Sequence, residues 1–128
     1  MKFGYTIIYV NDVKASLAFF SEAFNIKTRF FHETGYGELE TGETTLAFAS
    51  HNLGAHNLPA GYVAADSSSQ PLGMEIALVT ESVQQAHEQA VAAGAQSIQE
   101  PIKKPWGQFV SYVRCPDGTL VELCSPLS

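Results

Sequence analysis

The feature that most restricts this chain is that it repeats itself. Tyr5-Thr6-Ile7-Ile8 and Val13 correspond, 70 residues on, to Glu75-Ile76-Ala77-Leu78 and Val83. Towards the ends of the halves the spacing is 75, so that Thr44 falls on Thr119 and Ser50 on Ser125. A unit of this size is too long for a solenoid repeat, and two copies are too few for an array. Two pseudo-symmetric halves closing on each other satisfy both restrictions.

Each half reads as the same succession of elements. Residues 5–10 are β-branched and aromatic, which predicts a strand. Asn11-Asp12 supplies a helix cap, and Val13, Leu17, Phe20 and Phe24 follow at helical spacing as far as Asn25. Strands are then expected over 28–33, 38–41 and 44–50, with Gly35, Gly37 and Gly42-Glu43 at the turns. In the second half, 74–79 predicts a strand. Ser82, with Gln85 at capping-box spacing, opens a helix that Gly94 closes. Residues 96–100, 109–114 and 120–124 give three more strands, the last preceded by a Pro116-Asp117-Gly118 turn. The expectation is an α+β fold of two βαβββ modules, 1–50 and 73–128, within one domain covering 1–128. Residues 51–72, rich in Asn, Gly, Pro, Ala and Ser, form a linker long enough to be either functional or mobile.

Composition removes whole classes of function. Thirteen acids against seven bases give a net charge of −6, the opposite of a nucleic-acid footprint. No apolar run has the roughly 18 residues a membrane span needs, and the first residues lack a signal-peptide core. Cys115 and Cys124 are too few for a disulfide framework or a cysteine zinc site. They are expected to be reduced, half-buried packing residues in a cytoplasmic protein.

Alternation along the strands then singles out two residues. One face of each sheet must cover its helix, and the other is free to line what the halves enclose. Tyr5, Ile7 and Tyr9 share a face of the first strand, Glu75, Ala77 and Val79 of the fifth, and Leu120, Glu122 and Cys124 of the last. Glu75 and Glu122 are therefore carboxylates set into apolar strands, where each needs a partner, a ligand or a proton. Pairing with Arg29, Arg114 or a buried water would account for them without any function.

Val10-Asn11-Asp12-Val13, with Ser16 and Phe19-Phe20, resembles the opening strand and helix of the vicinal oxygen chelate superfamily. This is the glyoxalase, bleomycin-resistance and dioxygenase group. Arg114-Cys115-Pro116-Asp117-Gly118-Thr119-Leu120-Val121-Glu122-Leu123 resembles its closing turn and final strand, and Pro105-Trp106-Gly107-Gln108 its glyoxalase-like members. The resemblance spans the chain and implies a central small-molecule pocket and a homodimer. Its metal-using members converge four strand positions on one divalent ion, and these fall here on Tyr5, Ala47, Glu75 and Glu122. Only Glu122 keeps the usual residue. Zinc and nickel favour imidazole beside oxygen, whereas magnesium or manganese would accept the oxygens of Glu75 and Glu122.

Three readings follow. The first is a metal-poor pocket with no cofactor, in which Glu75 and Glu122 hold a cationic or hydrogen-bond-donating drug-like ligand. There Trp106, Phe31, Tyr36 and Tyr62 grip the flat part of the molecule. The second is a metal-dependent lyase, isomerase or dioxygenase, with Glu122 as metal ligand or catalytic base. The third is a non-catalytic interaction module. Among the histidines, His32 is placed to reach the pocket, whereas His51, His56 and His87 are expected to be solvated.

Overall fold

The first helix is bracketed by residues chosen for their ends. In the computed structural model, which describes residues 1–127, β1 (Tyr5–Val10) leads into α1 (Val13–Phe24). The Asp12 carboxylate accepts the Ala15 backbone N–H at 3.0 Å, satisfying an amide that the helical ladder leaves free. Asn25 ends the helix in the left-handed conformation, at φ 59°, which asparagine tolerates better than most residues. Asp12→Ala is expected to cost about 1 kcal/mol. It should lower the urea midpoint with an unchanged slope, and an unmoved midpoint would show that the cap contributes nothing.

Strands β2 (Thr28–His32), β3 (Tyr36–Leu39) and β4 (Thr45–Ser50) complete a sheet in the order β1-β4-β3-β2, with β1 parallel to β4. After the linker the pattern repeats: β5 (Ile76–Val79), a helix over Val83–Ala93, β6 (Gln96–Lys103), β7 (Phe109–Arg114) and β8 (Leu120–Cys124). The second sheet runs β5-β8-β7-β6, with β5 parallel to β8. Both βαβββ modules are thus present. β6 outruns its expected end because register shifts between Ser97 and Ile102 accommodate Pro101, which cannot donate to a ladder. β5 starts late, so Glu75 stands just ahead of it.

The linker is structured. It contains α2 (His51–Asn57) and a 3₁₀ turn (Ala65–Ser67), which makes the Val83–Ala93 helix α3. Arg114 donates to the carbonyls of Ala65 at 2.8 Å and Ser68 at 2.9 Å, while Asn11 donates to Asp66 at 2.6 Å. The linker is therefore tied to both halves. His51, expected in solvent, is half-buried with Nδ1 2.6 Å from the Tyr62 hydroxyl; His56 is exposed.

α1 lies on the first sheet and α3 on the second, and the helices pack on each other, so one core serves both halves. Phe20, Phe48, Leu39, Val113, Val121 and Leu123 are its most buried members, and the rings of Phe20 and Phe48 meet edge to face at 5.2 Å. Each such aromatic contributes about 1.5–3 kcal/mol by leaving water. His87 is a correction: it is 2% exposed, with Nδ1 2.9 Å from Ser111 Oγ and Nε2 2.8 Å from Ser97 Oγ. It shares the inward stripe of α3 with Val83 and Ala90. Cys115 and Cys124, expected half-buried, are both buried and free. Burial pushes the Cys115 thiol well up.

Candidate functional site

Helices occupy one face of each sheet and leave the other open, so the chemistry available is what the strands present there. Backbone register fixes that inventory. On the first sheet Ile7, Ala47, Glu38 and Phe30 lie in one row, and Tyr9, Ala49, Tyr36 and His32 in the next. Tyr5 and Thr45 precede them. On the second sheet Ala77, Glu122, Tyr112 and Gln99 form one row, and Val79, Cys124 and Val110 the next.

The first face is an aromatic wall whose two carboxylates share one arginine. Arg29 reaches Glu38 at 3.1 Å and Glu40 at 3.5 Å, and donates to Thr45 Oγ1 at 2.5 Å. The Tyr36 hydroxyl donates to the other Glu38 oxygen at 2.8 Å. Burial, reinforced by Glu38, pushes that phenol up to about 12, so it stays a donor throughout the useful pH range. Tyr62 comes from the linker and packs at a tilt against Tyr9, ring centroids 4.9 Å apart, extending the wall. His32 is on this face too, 6.4 Å from the Phe30 ring.

The second face carries an unneutralised pair. Glu75 and Glu122 are in hydrogen-bonding contact, and that contact, then burial and like charge, raises the Glu75 carboxyl to about 7. Tyr112 donates to Glu122 at 3.1 Å. Its phenol is pushed up to about 12, by burial first and the Glu122 contact second. Neither arginine expected as a partner is engaged here: Arg29 is spent on Glu38 and Glu40, and Arg114 on carbonyl oxygens. No guanidinium is therefore left to offset the charge of the pair. Tyr112 escaped the sequence reading, although counting back from the Pro116-Asp117-Gly118 turn pairs it with Glu122.

Two predicted lining residues need correction or qualification. Phe31 faces the helix: its cross-strand partner is Gly37, it packs on the core, and the Lys14 ammonium lies 5.1 Å over its ring. Trp106 is 64% exposed in the β6–β7 loop, its indole N–H donating to Gln108 at 2.8 Å. The four positions implied as metal ligands divide between the sheets. Ala47 is fully buried and offers no donor, Tyr5 belongs to the aromatic wall, and only Glu75 and Glu122 meet. Among the described residues, no group of three His, Cys, Asp or Glu side chains is placed to hold an ion. Two carboxylates without a third ligand side chain do not fit the four-position site of the metal-using relatives.

Comparison with known proteins agrees with this geometry. Residues 2–123 match a family model described as Glyoxalase/Bleomycin resistance protein/Dioxygenase superfamily. The fold is similar to a glyoxalase-related enzyme from Fulvimarina pelagi, with a TM-score of 0.83 at 21% identity, covering 98% of this chain and 88% of that one. A glyoxalase/bleomycin resistance protein/dioxygenase family enzyme from Burkholderia phytofirmans PsJN gives 0.80 at 18% identity, covering 98% of both chains. A glyoxalase/bleomycin resistance protein/dioxygenase from Nocardioides gives 0.76 at 20%, covering 100% of this chain and 85% of that one. No curated protein matches. No helix is long and apolar enough to cross a membrane among the described residues.

Proposed function

The chain belongs to the glyoxalase/bleomycin resistance protein/dioxygenase superfamily, and we propose that within it this protein binds a flat, cationic small molecule without a metal ion. The observation that carries the reading is the Glu75–Glu122 contact, which lacks any cationic side chain as partner. Two like charges side by side repel, and a ligand cation lowers that cost by favouring the ionised form of both. The aromatic wall of Tyr5, Tyr9, Tyr36, Phe30 and Tyr62 supplies the complementary half by stacking and cation–π contact. The exposed apolar side chains of Tyr5, Ile7 and Val79 support closure of the site by a second copy in a homodimer.

A second reading has its own observation. A carboxyl at about 7 is suited to taking a proton from carbon beside a carbonyl, which makes Glu75 rather than Glu122 the candidate base. Direct titration tests the first reading. Protein purified without chelator is expected to bind ethidium in preference to neutral phenanthridine, with affinity unchanged by EDTA and substoichiometric metal by elemental analysis. A stoichiometric ion that is lost in Glu122→Gln would overturn the proposal.

A further inference from the structure

The β6–β7 hairpin carries a side chain that the acid pair and the aromatic wall do not use. Trp106, the only tryptophan of the chain, stands 64% exposed at its tip. The tip is held in one shape. The Gly107 N–H donates to the Lys104 carbonyl at 2.9 Å, and the Trp106 indole N–H to Gln108 at 2.8 Å. The Gln108 amide in turn donates to the Ser125 carbonyl at 2.8 Å, which ties the tip to the chain beyond β8. Fixing a large aromatic ring in water adds nothing to the core. It does lower the ordering cost of a contact, and exposed tryptophans held in this way make binding hot spots. Lys103 and Lys104 flank it, and among the described residues neither meets an acidic side chain.

The complementary surface lies at the other end of β7. A groove of about 460 Å³ runs along α1, where the linker and the β7–β8 turn come beside it. Its floor is apolar, made by Ala15, Ala18, Phe19 and Pro116. A cavity of about 150 Å³ accommodates benzene, so an indole has ample room. The rim is acidic, with Asp12, Glu22, Asp66 and Asp117 and no lysine or arginine. Hydrogen bonds orient three of these carboxylates without cancelling their charge. Asp12 accepts the Ala15 N–H at 3.0 Å, Asp66 the Asn11 amide at 2.6 Å and Asp117 the Ser16 hydroxyl at 2.7 Å. Charge of one sign over apolar walls concentrates the field in such a cleft.

One molecule cannot join its own tip to its own groove. The six residues of β7 stand between the hairpin and the Pro116-Asp117 turn, and at about 3.4 Å each they hold the two about 20 Å apart. We propose that the groove along α1 receives the β6–β7 hairpin of a second copy, with Trp106 on the apolar floor and Lys103 and Lys104 against the acidic rim. A hairpin tip buries less surface than a permanent interface, so the association is reversible and weakened by salt. It uses neither the Glu75–Glu122 pair nor the aromatic wall, and is separate from closure of the open face.

The test mixes two variants. Ala15→Lys/Glu22→Lys alters two exposed positions of the groove and keeps Trp106, whereas Lys103→Glu/Lys104→Glu/Trp106→Ala alters the tip and contains no tryptophan. All tryptophan emission from the mixture therefore comes from the first. Adding the second should shift that emission to the blue, and sedimentation should show the two variants associating at low salt. Dimers formed through the open face exist before and after mixing and contribute no change. Lys103→Ala/Lys104→Ala in the first variant should weaken the association about tenfold, the combined worth of two exposed charge pairs. The proposal falls if both variants keep the native circular-dichroism spectrum and the emission does not move, or if it moves equally without the lysines. A blue shift on phosphatidylglycerol vesicles with none on mixing would assign the tip to a lipid surface and overturn it as well.

Discussion

Gly118→Ala is expected to remove about 3 kcal/mol or more of stability. Two costs coincide there. Gly118 has φ +93°, a conformation that charges an L-residue about 1–2 kcal/mol. A Cβ at this position would also fall on the backbone of Ala65 and Asp66. Overpacking of that kind costs about 1–3 kcal/mol when neighbours cannot yield. They cannot yield here, since Arg114 grips the Ala65 and Ser68 carbonyls and Asn11 holds Asp66. Gly107 is the matched control, with φ +100° and open space around its missing Cβ. Gly107→Ala should show the backbone cost alone, about 1–2 kcal/mol. Equal urea midpoints for the two variants would mean that the linker does not bear on the β7–β8 turn. A lower midpoint for Gly118→Ala would establish that residues 65–68 belong to the folded core of the second half.

That linker shows where sequence reading stops. The strands and the two long helices were legible because each buries a face: Val13, Leu17 and Phe20 repeat with the helical period, and the strands alternate. α2 has seven residues and buries only Gly54, so it leaves no hydrophobic period to detect. What holds it is long-range, Tyr62 lying against Gly54, His51 and Tyr9. His87 was legible in principle, four residues after Val83 and three before Ala90, but its Gln and Glu neighbours suggest solvent. Burying an imidazole needs two hydroxyl partners, and Ser97 and Ser111 arrive from strands far along the chain. Phe30-Phe31 contains one residue for each face, and alternation alone does not say which is which. Gly37 decides it, because its bare Cα admits Leu17 and Val13 of α1 beside Phe31. The acid pair was legible as shared parity of Glu75 and Glu122. That no arginine meets them depends on where Arg29 and Arg114 place their donors, which only tertiary structure determines.

Glu122→Gln is expected to move binding and stability in opposite directions, with the sign set by pH. In the native protein Glu75 titrates near 7, because its contact with Glu122 holds the proton, against an ordinary value of 4.5. At pH 8 the site presents ionised carboxylates to a ligand cation, and at pH 6 Glu75 is protonated. Wild-type affinity for ethidium should therefore rise as pH increases through 7. The amide removes one charge and also releases Glu75, which then ionises in the normal carboxylate range. At pH 8 the variant should bind about tenfold more weakly, the lower end expected for a charge-assisted contact at a partly exposed site. At pH 6 both proteins offer one charge, so the difference should nearly vanish. Stability follows from linkage. A carboxyl whose native pKa is raised contributes stability that is fully present below 4.5 and lost as pH rises through about 7. The variant lacks that loss, so at pH 8 it should be the more stable protein. The gain is on the order of 1 kcal/mol, well below the full value of the shift because Glu75 is exposed and solvent screens the repulsion. Calorimetric titration and urea unfolding at pH 6 and pH 8 measure both quantities on the same samples. A residue kept only for structure would not weaken binding when its replacement strengthens the fold. If affinity stays flat across this pH range in the wild type, the acid pair is not what holds the cation.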